Sequence, residues 1–374
     1  MELPSYFSDF LKEIRPTKNH IDDYKTGHKT LRARLLADES LSRIIVNTFL
    51  QGSYRRATAI RPKGDKRADV DIVVVTKLSE DEYTPDQAME IFVPFLDEFY
   101  KDKYEFQGRS IGISLSYVDL DLVITSAPSE AEIGVFKSQS VLSENTPEEA
   151  DDWRLSPSWV ALENRTTKQA YALLDASRKE AEWKLSPLHI PDREAQRWQR
   201  THPIEQMRWT WQKNRNCNGH YVNVVKAIKW SRRINHSTPK YPKGYPLEHI
   251  IGVCCPDGIK SIAEGVTQTL ENIEANYQAY ALVEVTPNLP DHGVPEHNVF
   301  HRITGGDFAA FHNQICDAAK IARKALDEKD LYESAELWRE LFGDKFPEAP
   351  PNDTKKGGYT PRIQVTTPVG GRFA

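Results

Sequence analysis

The sequence predicts an α+β fold: a mixed β sheet with covering helices in the first half of the chain, packed against a mainly helical second half. Three observations carry this. Apolar runs of strand length alternate with amphipathic helical segments in the first half, and in the second half apolar residues recur three and four apart over several long segments. The 374 residues, 39% hydrophobic and 28% charged, supply enough core for two interlocked lobes without disulfides. The expected division is residues 1–160 as the sheet-bearing core with its N-terminal helices, 161–346 as a helical lobe completing a cleft, and 347–374 as a flexible tail.

In chain order, residues 27–50 (GHKTLRARLLADESLSRIIVNTFL) have helical apolar spacing and read as one helix, or two meeting near Asp38. A polar, glycine-containing stretch follows and opens into VDIVVVT, whose valines and isoleucine mark a buried strand. PDQAMEIFVPFLDEFYKDK reads as a helix with Pro85 in its first turn and a stripe that includes Ile91, Phe95 and Phe99. RSIGISLSYVDLDLVITSA reads as one long strand or two short ones. Residues 143–156 are acidic and turn-rich, a surface loop between lobes. Helices are then expected over 157–182, 191–214, 221–234, 246–255, 258–282 and 307–342, with a Pro/Gly-rich loop over 286–306. From Pro347 onward, prolines, glycines and threonines give a mobile tail.

No apolar run approaches the ~18 residues of a membrane span, and the N-terminus lacks the basic and apolar regions of a signal peptide. Cys217, Cys254, Cys255 and Cys316 have no framework spacing, so a cytoplasmic protein is expected. The formal net charge of -5 excludes a wholly basic surface. Charge is nevertheless concentrated: Arg55, Arg56, Arg61, Lys63, Lys66 and Arg67 stand against Asp65 alone, and Lys226, Lys229, Arg232, Arg233, Lys240 and Lys243 occupy a stretch without an acid. If the fold joins these stretches they form one polyanion site.

The chemistry centres on Ala68-Asp69-Val70-Asp71-Ile72-Val73-Val74-Val75. On a strand, residues two apart share a face, so Asp69 and Asp71 stand side by side while Val70, Ile72 and Val74 turn to the core. Adjacent carboxylates at the mouth of an apolar strand repel unless a cation lies between them, and hard oxygen ligands suit Mg2+. Asp119 and Asp121 in VDLDLVI offer a third acid on one strand face, and spacing leaves both open. Upstream, Gln51-Gly52-Ser53 has the glycine and hydroxyl that let a turn clasp a terminal phosphate.

With GSYRRATAI, ADVDIVVV and VDLDLVI in that order, the chain resembles nucleotidyltransferases of the DNA polymerase beta superfamily. It is more closely similar to the CD-NTase family, bacterial relatives of cyclic GMP-AMP synthase and oligoadenylate synthase. The resemblance covers almost the whole chain and implies a polymerase-beta-like core and a Mg2+-dependent nucleotidyltransferase using two ions, with Mn2+ as a substitute. It implies Asp69, Asp71 and Asp121 as metal-binding catalytic acids, and Gln51, Gly52, Ser53 and Thr58 around the nucleotide. YVNVVKAIKWSRR resembles the helix bearing a phosphate-binding Lys229 before Trp230, and KGYPLEHI a helix start from which Lys243 and Tyr245 approach triphosphate and base, with Gly244 where serine is more usual. ESAELWRELFGDKFP resembles the closing helix, with Trp338, Phe342 and Phe346 as packing.

The implied function is synthesis of an adenine-containing cyclic di- or trinucleotide second messenger from ATP and a second nucleoside triphosphate in anti-phage (CBASS) defence, read by a cyclic-nucleotide-gated effector. The alternatives are a linear oligoadenylate or RNA-extending enzyme and an inactive sensor of the same fold. The tail carries Gly370, Gly371 and Ala374, small enough to thread an E1/E2-like conjugating enzyme acting on the C-terminus. His249 with Cys254 and Cys255 only faintly resembles the zinc site of wider relatives; helix packing is the reading adopted. The aromatic segment around Trp198, Trp209 and Trp211 is expected between the lobes.

Overall fold

The computed structural model describes residues 1–62, 64, 67, 69–126, 187–236 and 241–350. Helix α1 (Pro4–Ile14) is followed by α2 (Lys18–Ala37), which opens on a capping box between Thr17 and His20. The single turn α3 (Leu41–Ile44) then leads into β1 (Ile45–Gln51). This corrects the helix expected up to residue 50. Ile45, Val46 and Thr48 are β-branched, and the segment pairs antiparallel with β2 (Asp69–Thr76), which supplies the ladder that helical spacing alone did not reveal.

Between these strands lies the one-turn helix α4 (Gly52–Arg55). After β2, the single helix expected from Pro85 is two: α5 (Pro85–Glu90) and α6 (Val93–Phe99). Pro94 has no N–H to give to the carbonyl four residues back, so the helix breaks and restarts there. Strands β3 (Tyr104–Phe106), β4 (Ile111–Ser114) and β5 (Asp119–Ser126) follow, so the segment 109–127 is two strands.

The sheet runs β1-β2-β5-β4-β3, with β2 and β5 parallel and the other pairs antiparallel. It is extended by a hairpin of β6 (Leu188–Asp192) and β7 (Arg197–Thr201), which joins the end of β5 where Ser126 faces His189. The hairpin corrects the helix expected over 191–214. Pro203 is tolerated only in a first helical turn, and α7 (Pro203–Asn216) accordingly starts there under a His202 cap.

The helical lobe comprises α7, α8 (Tyr221–Asn235), α9 (Gly244–Cys254), α10 (Ile262–Leu282), α11 (Gly305–Asp327) and α12 (Leu331–Phe342). The terminal helical region expected over 307–342 consists of the last two, with Asp330 capping α12. Trp338, Phe342 and Phe346 are fully buried, with Phe7 edge-on to Trp338 at 5.0 Å and Phe10 stacked on Phe342 at 4.6 Å. Thus α1 packs in the core of the lobe formed mainly by the chain's second half, while β6 and β7 extend the sheet of its first half. No helix among the described residues is long and apolar enough to cross a membrane. The loop 143–156, the helix 157–182, the 160/161 boundary, most of the tail and Ala374 lie outside the described residues.

Candidate active site

The parallel register of β2 and β5 places Asp69 beside Asp119 and Asp71 beside Asp121. Carboxylate oxygens of Asp69, Asp71 and Asp121 lie within 4.8 Å of one another. Asp119 turns instead to Arg67, whose Nε donates to it at 2.9 Å. Of the two acids that spacing left open, Asp121 joins the cluster and Asp119 is held in an ion pair at its edge.

Asp69, although its edge reaches solvent, is pushed up to about 8 by desolvation among the surrounding groups, with the charges of Asp71 and Asp121 adding to the effect. Burial and the neighbouring acids likewise raise Asp121 to about 6. Asp71 is raised by burial, against the opposing pull of Arg56. Three carboxyls that resist ionisation together form a set of hard oxygen donors that a divalent cation would relieve. The backbone is cut to fit them. Gly52 sits at φ 76°, and a Cβ there would fall 1.7 Å from Asp71 Oδ2. Only glycine allows the turn after β1 to pass over this carboxylate.

Beyond Gly52, the Ser53 carbonyl accepts from the amides of Thr58 and Ala59 at 2.9 and 3.1 Å, closing a tight loop. Gln51 is the β1 partner of Asp71. The Thr58 hydroxyl donates to Glu248 at 2.8 Å. Glu248, only 3% exposed, also accepts from Arg56 Nε at 3.1 Å and Lys229 Nζ at 2.7 Å, and Lys229 donates at 2.9 Å to the Thr58 carbonyl. Burial alone would raise the Glu248 carboxyl, but Lys229 and Arg56 outweigh it and bring it down to about 2. Lys229 is therefore brought to the loop after Ser53 with its ammonium already engaged.

The two basic stretches do meet. Besides the Lys229–Thr58 contact, Arg233 donates to the Arg61 carbonyl. Much of this charge is used internally, on Glu248 and on backbone carbonyls.

Sequence reasoning named Arg56 only as one of a basic stretch and did not single out Glu248. The available signal for Glu248 was an acid between Leu247 and Ile250 on a helix whose neighbours are apolar. Arg56 lies over the Tyr245 ring at 5.2 Å. Tyr245 and Lys243 in turn line a cavity of about 510 Å3, together with Arg109, Arg197, Gln199 and Asp291. Arg56, which lies over Tyr245, also acts through its charge on Asp71, although none of the three acids lines the cavity.

The aromatic segment divides: Trp198 packs within the sheet-bearing lobe, its Nε1 donating to the Tyr83 carbonyl at 2.7 Å, while Arg55 lies over Trp211 of α7 at 5.6 Å, across the lobes. His249 stacks on His292 at 4.0 Å, and His292 on Trp209 at 3.7 Å. Cys217 and Cys255 are buried free thiols with sulfurs 3.9 Å apart. Among the described residues, the group of three or more ligating side chains close enough to share an ion is Asp69, Asp71 and Asp121.

Residues 1–151 match the Second Messenger Oligonucleotide or Dinucleotide Synthetase domain family. The chain is 49% identical over 382 residues to the cyclic AMP-AMP-GMP synthase of Enterobacter hormaechei subsp. hoffmannii, covering 100% of both chains. It is 28% identical over 353 residues to the cyclic AMP-AMP-AMP synthase of an Acinetobacter species, covering 93% of this chain and 86% of that one. Its fold is similar to that of Vibrio cholerae DncV cyclic AMP-GMP synthase with nonhydrolyzable GTP, at TM-score 0.63 and 10% identity over 93% of this chain and 97% of that one. CdnC of E. coli MS115-1 with ATP gives 0.60 and 16% over 93% and 100%. A carboxylate triad fit for a divalent metal, on this fold and with full-length kinship at 49% identity, settles the assignment: the chain belongs to the CD-NTase family, the nucleotidyltransferases that make cyclic oligonucleotide second messengers.

Proposed function

We propose that the chain joins ATP and GTP into a cyclic trinucleotide of the AMP-AMP-GMP type, the signal of a CBASS defence system read by a cyclic-nucleotide-gated effector. The observation that carries the chemistry is the triad of strand-borne carboxylates set against the Gly52 turn. The ring composition is supported by the full-length identity to the Enterobacter synthase.

In each round a ribose hydroxyl attacks the α-phosphorus of a nucleoside triphosphate. The bond to the β-phosphate breaks, pyrophosphate leaves and the hydroxyl proton is lost to solvent. The last attack, by the linear intermediate on its own triphosphate, closes the ring. Two divalent ions, Mg2+ or in its place Mn2+, would supply the positive charge that makes the attacking hydroxyl more acidic and stabilises the leaving pyrophosphate. Asp69 and Asp71 face the triphosphate in this reading, and Asp121 faces the attacking hydroxyl. Ser53 takes the terminal phosphate, in a turn shaped by Gln51, Gly52 and Thr58. Lys243 approaches the phosphates from the cavity wall, and Tyr245 stacks on a base. Lys229 contributes positive charge near the phosphates from a position that Glu248 fixes.

The proposed division of labour keeps residues 1–160 as the catalytic core, 161–346 as the lobe that completes the cleft and 347–374 as a tail. Conjugation of Ala374 by an E1/E2-like partner is part of the proposal, supported by the small residues near that end. Deleting Phe373 and Ala374 is expected to abolish adducts in cells while leaving nucleotide synthesis intact.

The main test is incubation of the purified protein with Mg2+ and labelled nucleoside triphosphates, singly and in pairs. A phosphatase-resistant product that requires both ATP and GTP and has the mass of two AMP and one GMP residues in a ring supports the reading. A phosphatase-sensitive ladder, or a product formed from ATP alone, would overturn it.

A further inference from the structure

A second cavity, of about 210 Å3, lies in the helical lobe between α8, α10, α11 and α12, and none of the site residues above lines it. Its wall is largely apolar, with Ile228, Leu270, Ile315 and Ile321 among its members. Among its polar members, two carry buried atoms without a hydrogen-bond partner. Arg232 is 6% exposed, and its Nε has no hydrogen-bond partner. The Gln314 Oε1 is likewise buried without a partner.

A buried polar atom left without its hydrogen bond destabilises the fold. A donor and an acceptor wanting partners in the wall of one cavity therefore specify what would fill it. Arg232 Nε requires a carbonyl or a ring acceptor, and Gln314 Oε1 requires an N–H. A planar group presenting both a C=O and an N–H, a carboxamide or lactam edge, carries the two complementary atoms. The apolar wall suits a ring behind that edge. Asp317 and Glu340 also line the cavity, opposite in charge to the Arg232 guanidinium, so it is the need of Gln314 Oε1 for an N–H that sets a simple anion at a disadvantage.

Arg232 has a second engagement. Its Nη1 donates to the Pro242 carbonyl at 2.6 Å and its Nη2 to the Tyr241 carbonyl at 3.1 Å. Tyr241 lines the larger cavity, the proposed substrate cavity, as do Lys243 and Tyr245 just after these carbonyls. A group that takes the free Nε shares the guanidinium with the peptide that positions them. We infer that the helical-lobe cavity is a second ligand site, for a small apolar ring carrying a carboxamide or lactam edge, and that its occupancy acts on the substrate cavity through Arg232.

The test uses the full chain with isoleucine methyl groups labelled for NMR, and benzamide as the probe. Ile228, Ile315 and Ile321 report on this cavity, while Ile190 and Ile303 line the larger one. Benzamide is expected to shift the first three methyls saturably. Gln314→Leu, which removes the acceptor and keeps an apolar side chain, should weaken that binding about tenfold. Benzoate, an anion without an N–H, should bind weaker than benzamide by a similar factor. In the synthesis assay, saturating benzamide should change the KM for ATP about fivefold.

The inference is overturned if no saturable shift occurs, as for a cavity that holds only water, or if the response is confined to Ile190 and Ile303. It is also overturned if Gln314→Leu or benzoate binds as tightly, or if bound benzamide leaves KM unchanged. Only the rate measurement rests on the proposed reaction. Wild-type protein without benzamide is its control, since absence of product there would count against the reaction and leave the methyl measurement standing.

Discussion

Asp71 is hemmed in more tightly than any other side chain of the triad: Gly52 passes over its carboxylate, Asp121 stands beside it in register and Arg56 pulls against its burial. That crowding makes residue-level tests sharp. Asp121→Asn keeps the shape but removes a charged oxygen ligand, so turnover should fall roughly 10²–10³-fold or more with an unchanged circular dichroism spectrum. Asp119→Asn should leave it within about threefold, because that acid faces Arg67 at an exposed edge, where pairing contributes little; the reverse pattern would misplace the third acid. Gly52→Ala puts a methyl on Asp71 in a left-handed backbone and should abolish synthesis in a protein that still folds. The pH dependence has a definite sign. Asp69 has its folded-state pKa raised from 3.8 to about 8, so the metal-free fold binds more protons than the unfolded chain between those values and loses stability as pH rises through them. Mg2+ holds the ionised form, so its binding should release protons and tighten as pH rises from about 6 to 8, following Asp121 and Asp69; calorimetry in buffers of different ionisation enthalpy reads this directly. The Asp69–Asp71 pair was legible in the sequence because strand alternation puts residues two apart on one face. Asp119 and Asp121 share a face by the same rule, so the choice between them rested on resemblance until the β2–β5 register and Arg67 separated them.

At the scale of elements, the strands carrying the acids declared themselves by their valines and isoleucines, whereas β1 and the β6–β7 hairpin did not. Their evidence is in pairing with β2 and β5, and local spacing cannot report a partner elsewhere in the chain. Proline decided two boundaries, at Pro94 and Pro203, where apolar periodicity alone suggested continuous helices. The same distance effect hid Glu248, whose partners Arg56 and Thr58 lie 192 and 190 residues away. Through them and Lys229, Glu248 ties α9 and α8 to the loop that follows α4. Replacing it with Gln keeps the volume and one oxygen acceptor but leaves two cations without their counter-charge in a buried site. Glu248→Gln should therefore destabilise the protein by about 3–5 kcal/mol, seen as a lower denaturant midpoint at unchanged m. Synthesis should also fall, because Lys229 and the Thr58 loop lose their common anchor; a variant with wild-type stability and rate would show that the network does neither.

Across the whole molecule, the order of elements in space departs from their order in sequence, and this limits how far a division at residue 160 describes the packing. The resemblance anticipated Trp338, Phe342 and Phe346 as packing residues, but not that α1 would supply the rings that face them. Helical spacing identifies an apolar face and leaves its destination open. Phe10 is fully buried, stacked on Phe342 and near Phe346 at 5.7 Å, so the first helix completes a core built mainly from the last. Phe10→Ala opens a cavity among three aromatic rings and should cost about 3–5 kcal/mol. In a chain of this size that corresponds to a drop of roughly 4–6 °C in Tm. The substituted side chain is remote in sequence from every residue of the triad and packs in the other lobe, so kcat well below the transition should stay within about twofold. A loss of Tm with turnover preserved at low temperature is the expected result. An unchanged Tm would mean that α1 contributes no stability to the helical lobe, and an equal loss of kcat at low temperature would mean that this core also sets the geometry of the carboxylates.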